Sequence, residues 1–371
     1  MKTDLIQTAN FTELYDLLSF IPEDTAFLLL FYGPDFPYKR LYERLRRFRI
    51  PFLGCMDRGR MFDGSFIEAT DSVTVMSFSK KLVKDFQIIS YDMRPSMNRK
   101  LIHDASAYMY SCALASMSVK PEERNDPHLL TLNLLYGPGS SAPILVGQHR
   151  ILPVTTIGAS SGCYANESSV ISSSGRGAIG ATVMIRLHND FVLTTGRSDC
   201  FEPTDMLFRV TGMKNRRMIT ELNGKPALKE LASSLNIDEE SLKKEALYEY
   251  GFQKGKNTVL GVGEVYDTSL CLCEDLLPDT ELRLLRVHQG LDARTEKLAL
   301  LARSNPLCYL SFDSFFSWKQ RNIYGSQAEL SMLYDNALPG VPKAGFACNG
   351  EHLDIFQSNF TETHLAVCPV A

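Results

Sequence analysis

The feature that most constrains the fold is a pattern that occurs twice in the N-terminal half of the chain. One apolar run ends at Gly33-Pro34, and a second apolar run ends at Gly137-Pro138. Each is followed by a proline-led strand that reaches a glycine, Gly54 in the first copy and Gly158 in the second. Both pairs of glycines are separated by 21 positions. Two strands joined at this spacing predict a repeated βαβ-like unit.

A helix is predicted between the two strands of the first copy. Apolar side chains recur at helical spacing from Tyr38 to Phe48, and Pro37 suits a first helical turn. A third, looser copy lies near the C-terminal end, where one strand-like run reaches Asp313 and a later one runs into Gly345. These elements predict a mixed α and β fold with layered sheets, flanking helices and internally repeated βαβ-like units.

The chain length and one change of pattern predict two domains. With 371 residues, the chain is longer than one typical core requires. A turn that feeds a helix, at residues 221–228, begins a different pattern. We therefore place a lead-in at residues 1–24, an N-terminal domain with two similar halves at 25–215, and a C-terminal domain at 216–371.

Charge, hydropathy and cysteine usage exclude several classes of protein. The net charge is -4, whereas a nucleic-acid-binding domain normally carries a strongly basic face. The longest apolar run, around residues 27–32, is too short to cross a membrane, so we expect no membrane insertion. The nine cysteines are irregularly spaced and include no C-x-x-C pair, which argues against a disulfide framework or a zinc ribbon. These features predict a cytoplasmic protein.

One motif suggests an enzyme, but its context does not. Residues 158–162 read G-A-S-S-G and match the G-x-S-x-G nucleophile elbow, in which a strand, a strained turn and a helix expose a serine. A strand precedes Ser160, but the residues after Gly162 lead into a β-branched hairpin rather than a helix. A serine hydrolase that uses Ser160 is therefore the alternative, and we predict that the protein is not an enzyme.

Three glycine-ended strands predict where a ligand binds. Glycine at a strand end lets backbone amides approach a ligand, and strand ends of layered α/β folds often form the binding crevice. We expect an anionic group at the amides and an ammonium or amide group near Asp313, Glu351 and Asn359. The alternative for Glu351 and Asn359 is that they cap local turns. The predicted ligand-binding residues are Gly54, Cys55, Gly158, Ser160, Ser161, Gly162, Asp313, Gly345, Phe346, Gly350, Glu351, Asn359 and Thr361.

Several segments, taken in order, resemble the FIST family. The more specific ones are Glu221–Leu228, which reads E-L-N-G-K-P-A-L, and Gly345–Glu351, which reads G-F-A-C-N-G-E. The resemblance covers about residues 25–370 and implies an N-terminal and a C-terminal FIST domain. The sequence departs from the family pattern at Ala159, Cys163 and Ser314, where the family usually has glycine, aspartate and cysteine.

The resemblance implies a sensory function. It implies reversible binding of a small, amino-acid-like ligand and signalling through a partner such as a histidine kinase, a chemotaxis receptor or a cyclic-dinucleotide enzyme. Some members resemble haem-based nitric-oxide sensors, and Cys368-Pro369 resembles a haem-regulatory pair. A haem-binding sensor is therefore the alternative within the family.

Overall fold

The structure, a computed structural model, describes residues 2–7, 21–57, 59–68, 70–93, 97–136, 141–161, 170–177, 179–244, 246–288 and 290–370. As predicted, the protein is mixed α and β. The described residues form three six-stranded sheets and one eight-stranded sheet. Three similar units supply the six-stranded sheets, and an inserted segment supplies the eight-stranded one.

In its described residues, the first unit holds seven strands and one helix. The helix packs on the sheet through Leu41, Tyr42 and Leu45, which lie on one apolar stripe. The elements are β1 (Lys2–Gln7), β2 (Thr25–Tyr32), α1 (Tyr38–Arg47), β3 (Phe52–Met56), β4 (Arg60–Phe62), β5 (Ser65–Ile67), β6 (Ser72–Ser79) and β7 (Val83–Ser90).

The second unit repeats the order of strand, helix, strand and hairpin, and a helix precedes its strand β8. Asn98 begins that helix by accepting a hydrogen bond from the backbone N–H of Lys100, as a helix-capping residue does. The elements are α2 (Arg99–Ser116), a 3₁₀ turn (Pro121–Asn125), β8 (Leu129–Tyr136), α3 (Ser141–Ile151), β9 (Thr156–Ser161), β10 (Val170–Ser172), β11 (Gly175–Gly177), β12 (Gly180–Leu187) and β13 (Phe191–Asp199).

An inserted sheet separates the second unit from the third and has its own apolar core. Residue 215, where we placed the domain boundary, lies in the turn between two paired strands of this sheet. The elements are β14 (Phe201–Met213), β15 (Met218–Leu222), β16 (Lys225–Pro226), α4 (Ala227–Leu235), α5 (Glu239–Lys244), a 3₁₀ turn (Ala246–Tyr248), β17 (Tyr250–Lys254), β18 (Thr258–Leu260), β19 (Val262–Tyr266), β20 (Ser269–Leu272) and β21 (Glu281–Val287).

The third unit is the looser copy that the sequence indicates. Its two parallel strands are joined by two helices instead of one, which explains the longer spacing. The elements are α6 (Leu291–Ala302), β22 (Cys308–Ser314), α7 (Phe315–Tyr324), α8 (Gln327–Ala337), β23 (Lys343–Cys348), β24 (Glu351–Leu353), β25 (Phe356–Ser358) and β26 (Thr361–Pro369).

Each unit is built on one parallel strand pair, and a glycine occupies the same register position in all three. Leu30 on β2 faces Gly54 on β3, Asn133 on β8 faces Gly158 on β9, and Ser311 on β22 faces Gly345 on β23. An antiparallel strand then lies beside the first strand of each pair; these strands are β6, β12 and β26. The predicted repeat of βαβ-like units is therefore confirmed, and it extends to three copies.

The conserved register has a steric cause at the second and third glycines. A Cβ atom on Gly158 would lie 2.0 Å from the carbonyl oxygen of Asn133, and one on Gly345 would lie 1.8 Å from that of Ser311. Both glycines also have φ values, +154° and +157°, that L side chains rarely adopt. Close approach of the neighbouring strand therefore requires glycine at these positions.

The three sheets exchange hairpins in a cycle. The β4–β5 hairpin of the first unit pairs with β23 of the third, the β10–β11 hairpin of the second pairs with β3 of the first, and the β24–β25 hairpin of the third pairs with β9 of the second. The inner faces of all three sheets meet in one apolar core, which includes Phe31, Leu132 and Phe312. The exchange therefore places the ends of β3, β9 and β23 beside hairpins from other units.

Candidate functional site

The end of β9 and the turns that follow β3 and β23 are linked through backbone hydrogen bonds. The N–H of Ser160 donates to the carbonyl of Gly350 at 2.8 Å, and the N–H of Asn349 donates to the carbonyl of Ser160 at 2.9 Å. The N–H of Ala347 donates to the carbonyl of Gly59 at 2.7 Å. The end of β9 therefore contacts the turn after β23, and β23 contacts the turn after β3. Gly162 lies outside the described residues.

The glycines of these strands have a different role from the one that the sequence suggests. Gly54, Gly158 and Gly345 lie within strands and face the neighbouring strand. The side chains of Cys55 and Phe346 point into the central apolar core, where burial raises the pKa of the Cys55 thiol well above its usual value. The backbone amides of Ser160, Ala347 and Asn349 are already hydrogen-bonded to adjacent turns.

Asp313 lies at the end of β22, on the outer face of the sheet, and is bound by two arginines. Its Oδ1 atom lies 2.6 Å from Nη2 of Arg294, and its Oδ2 atom contacts Nη2 of Arg321. All three side chains are fully buried. The carboxylate is therefore engaged within the protein by charge-assisted hydrogen bonds.

Glu362 extends this charged network along β26. Its Oε1 atom accepts hydrogen bonds from Ser311 at 2.8 Å and Tyr334 at 3.2 Å, and from the hydroxyl of Tyr309. Burial alone would raise the pKa of Glu362, but the nearby His364 imidazole and the Arg294 guanidinium hold it well below its usual range. The ionised network fixes α6, α7 and α8 to the third sheet.

Glu351, Thr361 and Asn359 hold the third turn in place. Glu351 accepts hydrogen bonds from the Thr361 hydroxyl at 2.7 Å and from the Cys348 thiol at 3.3 Å, and burial raises its pKa well above the usual range. Asn359 accepts a hydrogen bond from the N–H of Gly261 at 2.9 Å and donates one to the carbonyl of Asn349 at 3.2 Å. Asn359 thereby joins the third turn to the inserted sheet. These contacts agree with the alternative in which Glu351 and Asn359 stabilise local turns.

Ser160 has a histidine partner that the sequence motif does not reveal. Its Oγ atom lies 3.0 Å from Nε2 of His352, which is on β24 and reaches Ser160 through the exchanged hairpin. Both side chains are fully buried, and burial lowers the pKa of His352 to about 3. Among the described residues, Nδ1 of His352 has no hydrogen-bond partner.

Two further buried polar side chains adjoin this pair. Ser141, the first residue of α3, donates a hydrogen bond to Oε1 of Gln357, which is the cross-strand partner of His352. Nε2 of Gln357 has no hydrogen-bond partner within the described part of the chain, and only 4% of the residue is exposed. A Cβ atom on Gly350 would lie 2.4 Å from this Nε2 atom, so glycine makes room for it. Ser141, Ser160, His352 and Gln357 are each at most 4% exposed, and we call this buried group of side chains the polar cleft.

The equivalent positions in the other units are mainly apolar. The register places Met61 of β4 and Ile171 of β10 at the position of His352. It places Phe66 of β5 and Arg176 of β11 at the position of Gln357. Met56 on β3 and Ala347 on β23 correspond to Ser160. The polar cleft is therefore a specific feature of the second unit.

The first turn carries a buried ion pair that sequence reasoning did not single out. Asp57 Oδ1 lies 3.3 Å from Nη1 of Arg60, whose Nη2 atom donates to the Ser72 hydroxyl at 2.9 Å. Burial outweighs the charge of Arg60 and raises the pKa of Asp57 to about 8. The pair closes the first turn against β6, and no recognisable motif accompanies it in the sequence.

We next describe the side chains that could bind a metal ion or the iron of a haem. Within them, no three His, Cys, Asp or Glu side chains are grouped so as to hold a metal ion. The Cys368 thiol, proposed for haem, is 1% exposed in β26 and receives a contact from the Thr194 hydroxyl. Burial raises the pKa of this thiol, which disfavours the thiolate form that binds iron. No helix in the described ranges is both long and apolar enough to span a membrane.

Comparisons with known proteins identify the family. Residues 26–225, from β2 to β16, match the FIST N domain. Among solved structures, the crystal structure of cyanuric acid hydrolase from A. caulinodans is similar at a TM-score of 0.41 and 8% identity, covering 100% of this chain and 99% of that chain. None of the curated proteins matches the chain. Since the family match spans more than half of the chain, the protein belongs to the FIST family of small-ligand sensory and signal-transduction domains.

Proposed function

We propose that this protein is a sensor that reversibly binds a small ligand at the polar cleft and signals through a partner protein. Membership of the FIST family supports the general function. The cleft lies where the carboxyl ends of β8 and β9 meet the start of α3, the usual position of ligands in parallel α/β units.

The observation that carries the proposal is the pair of buried polar atoms without partners. Nδ1 of His352 and Nε2 of Gln357 lack hydrogen-bond partners among the described residues, although both side chains are buried. An unsatisfied buried polar group costs about 1–3 kcal/mol. A ligand that pairs with these atoms removes that cost, which gives the site affinity for a polar molecule.

The contacts of the third turn provide a route from the cleft to the rest of the protein. Gly350 lies against Gln357, and the adjacent Asn349 is bonded to Asn359, which contacts Gly261 of the inserted sheet. A ligand that binds two arrangements of this turn with different affinity would shift their populations. We propose that a partner protein binds the inserted sheet and responds to this change. The candidate classes of partner are a histidine kinase, a chemotaxis receptor and a cyclic-dinucleotide enzyme.

A thermal-shift screen of amino acids and small metabolites tests this function, because a ligand that binds only the folded state raises the melting temperature. We expect hits with the wild type that are lost in His352→Leu and weakened in Ser160→Ala. Met61→Leu, at the equivalent position of the β4–β5 hairpin, is the matched control and should keep every hit. Hits that survive both His352→Leu and Gln357→Leu unchanged would place the ligand elsewhere.

A serine hydrolase is the second candidate, because Ser160 and His352 are within hydrogen-bond distance. Three observations disfavour it: both residues are fully buried, Ser160 lies in an extended strand, and a pKa of about 3 makes His352 a weak base at neutral pH. We expect no ester hydrolysis above background with p-nitrophenyl acetate. Turnover that disappears in Ser160→Ala would instead favour the enzyme.

A further inference from the structure

The geometry points to a carboxylate as the group that the polar cleft recognises. This inference rests on the proposed function and adds the chemical class of the ligand. It assigns the ligand's oxygen atoms to the side-chain amide of Gln357 and to the first turn of α3, and it adds Ser141 and Gln357 to the residues that determine specificity.

The first step concerns the side-chain amide of Gln357. Its oxygen already accepts the hydroxyl hydrogen of Ser141, so the NH₂ group remains to contact a ligand. That group is a donor with two hydrogens and requires an acceptor. A carboxylate oxygen meets this requirement, whereas an ammonium group does not.

The second step concerns the helix that begins at Ser141. The contact between the Ser141 hydroxyl and Oε1 of Gln357 places the Gln357 side-chain amide beside Ser141, the first described residue of α3, an 11-residue helix. The first four N–H groups of a helix lack intrahelical acceptors, and the helix dipole makes this end attractive to anions. The buried amide and the helix therefore favour the same kind of ligand atom.

The third step concerns charge. The four side chains of the cleft carry no negative charge, and His352 is neutral at physiological pH because its pKa is about 3. The nearest acid along β24, Glu351, is occupied by Thr361 and Cys348. Among the described residues, the polar cleft offers no carboxylate to a cationic group, and a single negative charge suits the neutral donors better than a dianion.

Matched pairs of acids and amides test the inference. The full-length protein is melted with acetate, succinate, benzoate or glycine, and with acetamide, succinamide, benzamide or glycinamide, each at about 20 mM, a concentration that saturates a millimolar site. We expect at least one acid to raise the melting temperature and its amide to have no effect. The affinity of that acid, measured by calorimetry, should stay constant between pH 6 and 8, since no cleft residue titrates there.

Variants at Gln357 identify the contact. Gln357→Glu should abolish binding of the acid, and Gln357→Leu should weaken it about tenfold or more, as expected for a hydrogen bond to a charged group. Phe66→Leu, at the matching position of the β4–β5 hairpin, is the control and should bind like the wild type. The melting temperature without ligand shows whether each variant is folded.

Three outcomes overturn the inference: no shift with any of the four acids, equal shifts with acids and amides, or full binding by Gln357→Glu. Each can be separated from failure of the proposed function. Neutral or cationic hits from the metabolite screen that disappear in His352→Leu would retain the sensor and reject the carboxylate. Acid binding that is lost in Gln357→Glu but retained in His352→Leu would keep the carboxylate contact at Gln357. It would remove His352 from the residues that bind the ligand.

Discussion

The outer faces of the second and third sheets occupy equivalent positions and contain different chemistry. In the second unit, Asn133 and Gln148 exchange hydrogen bonds of 3.0 Å beneath α2 and α3, and both are neutral. In the third unit, Ser311 takes the position of Asn133 and lies in a network of ionised Arg294, Asp313 and Glu362. Leu30, the equivalent residue of the first unit, packs among apolar side chains.

The difference shows that one backbone accommodates an apolar, a neutral polar and a charged layer. All three units share the parallel strand pair and its glycine, because these depend on backbone packing and not on the outer-face side chains. What differs is the consequence of losing one side chain, because an unpaired buried charge costs more than an unpaired amide. Three predictions test this ranking.

The largest effect is expected for Asp313→Asn. The change leaves the positive charges of Arg294 and Arg321 without their carboxylate, and removing one partner of a buried ion pair costs about 3–5 kcal/mol. Trp318, on α7, is the single tryptophan of the chain and reports unfolding of the third unit. We expect its fluorescence transition to move to a much lower urea concentration.

The matched control is Asp335→Asn, on α8. Asp335 lies 3.6 Å from Lys343, but its side chain is 59% exposed, so the loss should be at most about 1 kcal/mol. Equal transitions for the two variants would contradict the ranking of the layers.

An intermediate effect is expected in the neutral network. Asn133→Leu should destabilise the second unit by about 1–3 kcal/mol, because it removes hydrogen-bond partners of Gln148 and Thr182. Hydrogen exchange of the β8 and β12 amides would measure the loss.

Adding Gln148→Leu should recover part of this stability. The two leucines replace both partners, and Tyr91 and Thr182 can still bond to each other at 3.1 Å. Additive losses in the double variant would show that the amides are not coupled.

The smallest effect is a pH dependence confined to the third unit. The folded state lowers the pKa of Glu362, so its contribution is present above the usual value of 4.5 and is lost as pH falls toward the folded pKa. The free energy of unfolding that Trp318 fluorescence reports should decrease below about pH 4.5, by up to about 1.4 kcal/mol per pH unit for one proton.

Glu362→Gln should remove this slope. The second network contains no carboxylate, and burial raises the pKa of its Tyr91 to about 12. The stability measured by hydrogen exchange of the β8 amides should therefore not decrease between pH 5 and 3 in parallel with the unfolding free energy that Trp318 reports. A parallel response in both units would assign the acid sensitivity to another group.

The repeated units could be predicted from the sequence because their signals are local. Apolar runs that end at Gly33 and Gly137, and glycines at fixed spacing, are visible in short windows. The extent of the inserted sheet depends on pairing between strands that are distant in sequence, such as β14 with β21. A boundary at residue 215 divides the β14–β15 pair for this reason.

The candidate site could be predicted only in part. Ser160 belongs to a recognisable motif, but its partner His352 comes from a hairpin of the third unit, and Ser141 and Gln357 belong to no motif. Such contacts depend on pairing between strands that are distant in sequence, which no local pattern encodes. The arginines that bind Asp313 were missed for the same reason.

The cyclic exchange of hairpins has a consequence for biosynthesis. The β4–β5 hairpin is made early, but its partner β23 lies about 280 residues later. At ribosomal rates of about 5–20 residues per second, the hairpin remains unpaired for roughly 15–60 s. During that time the edge of β4 is an available template for other strands, so folding helpers that bind nascent chains should contact the protein most strongly before its last strands emerge.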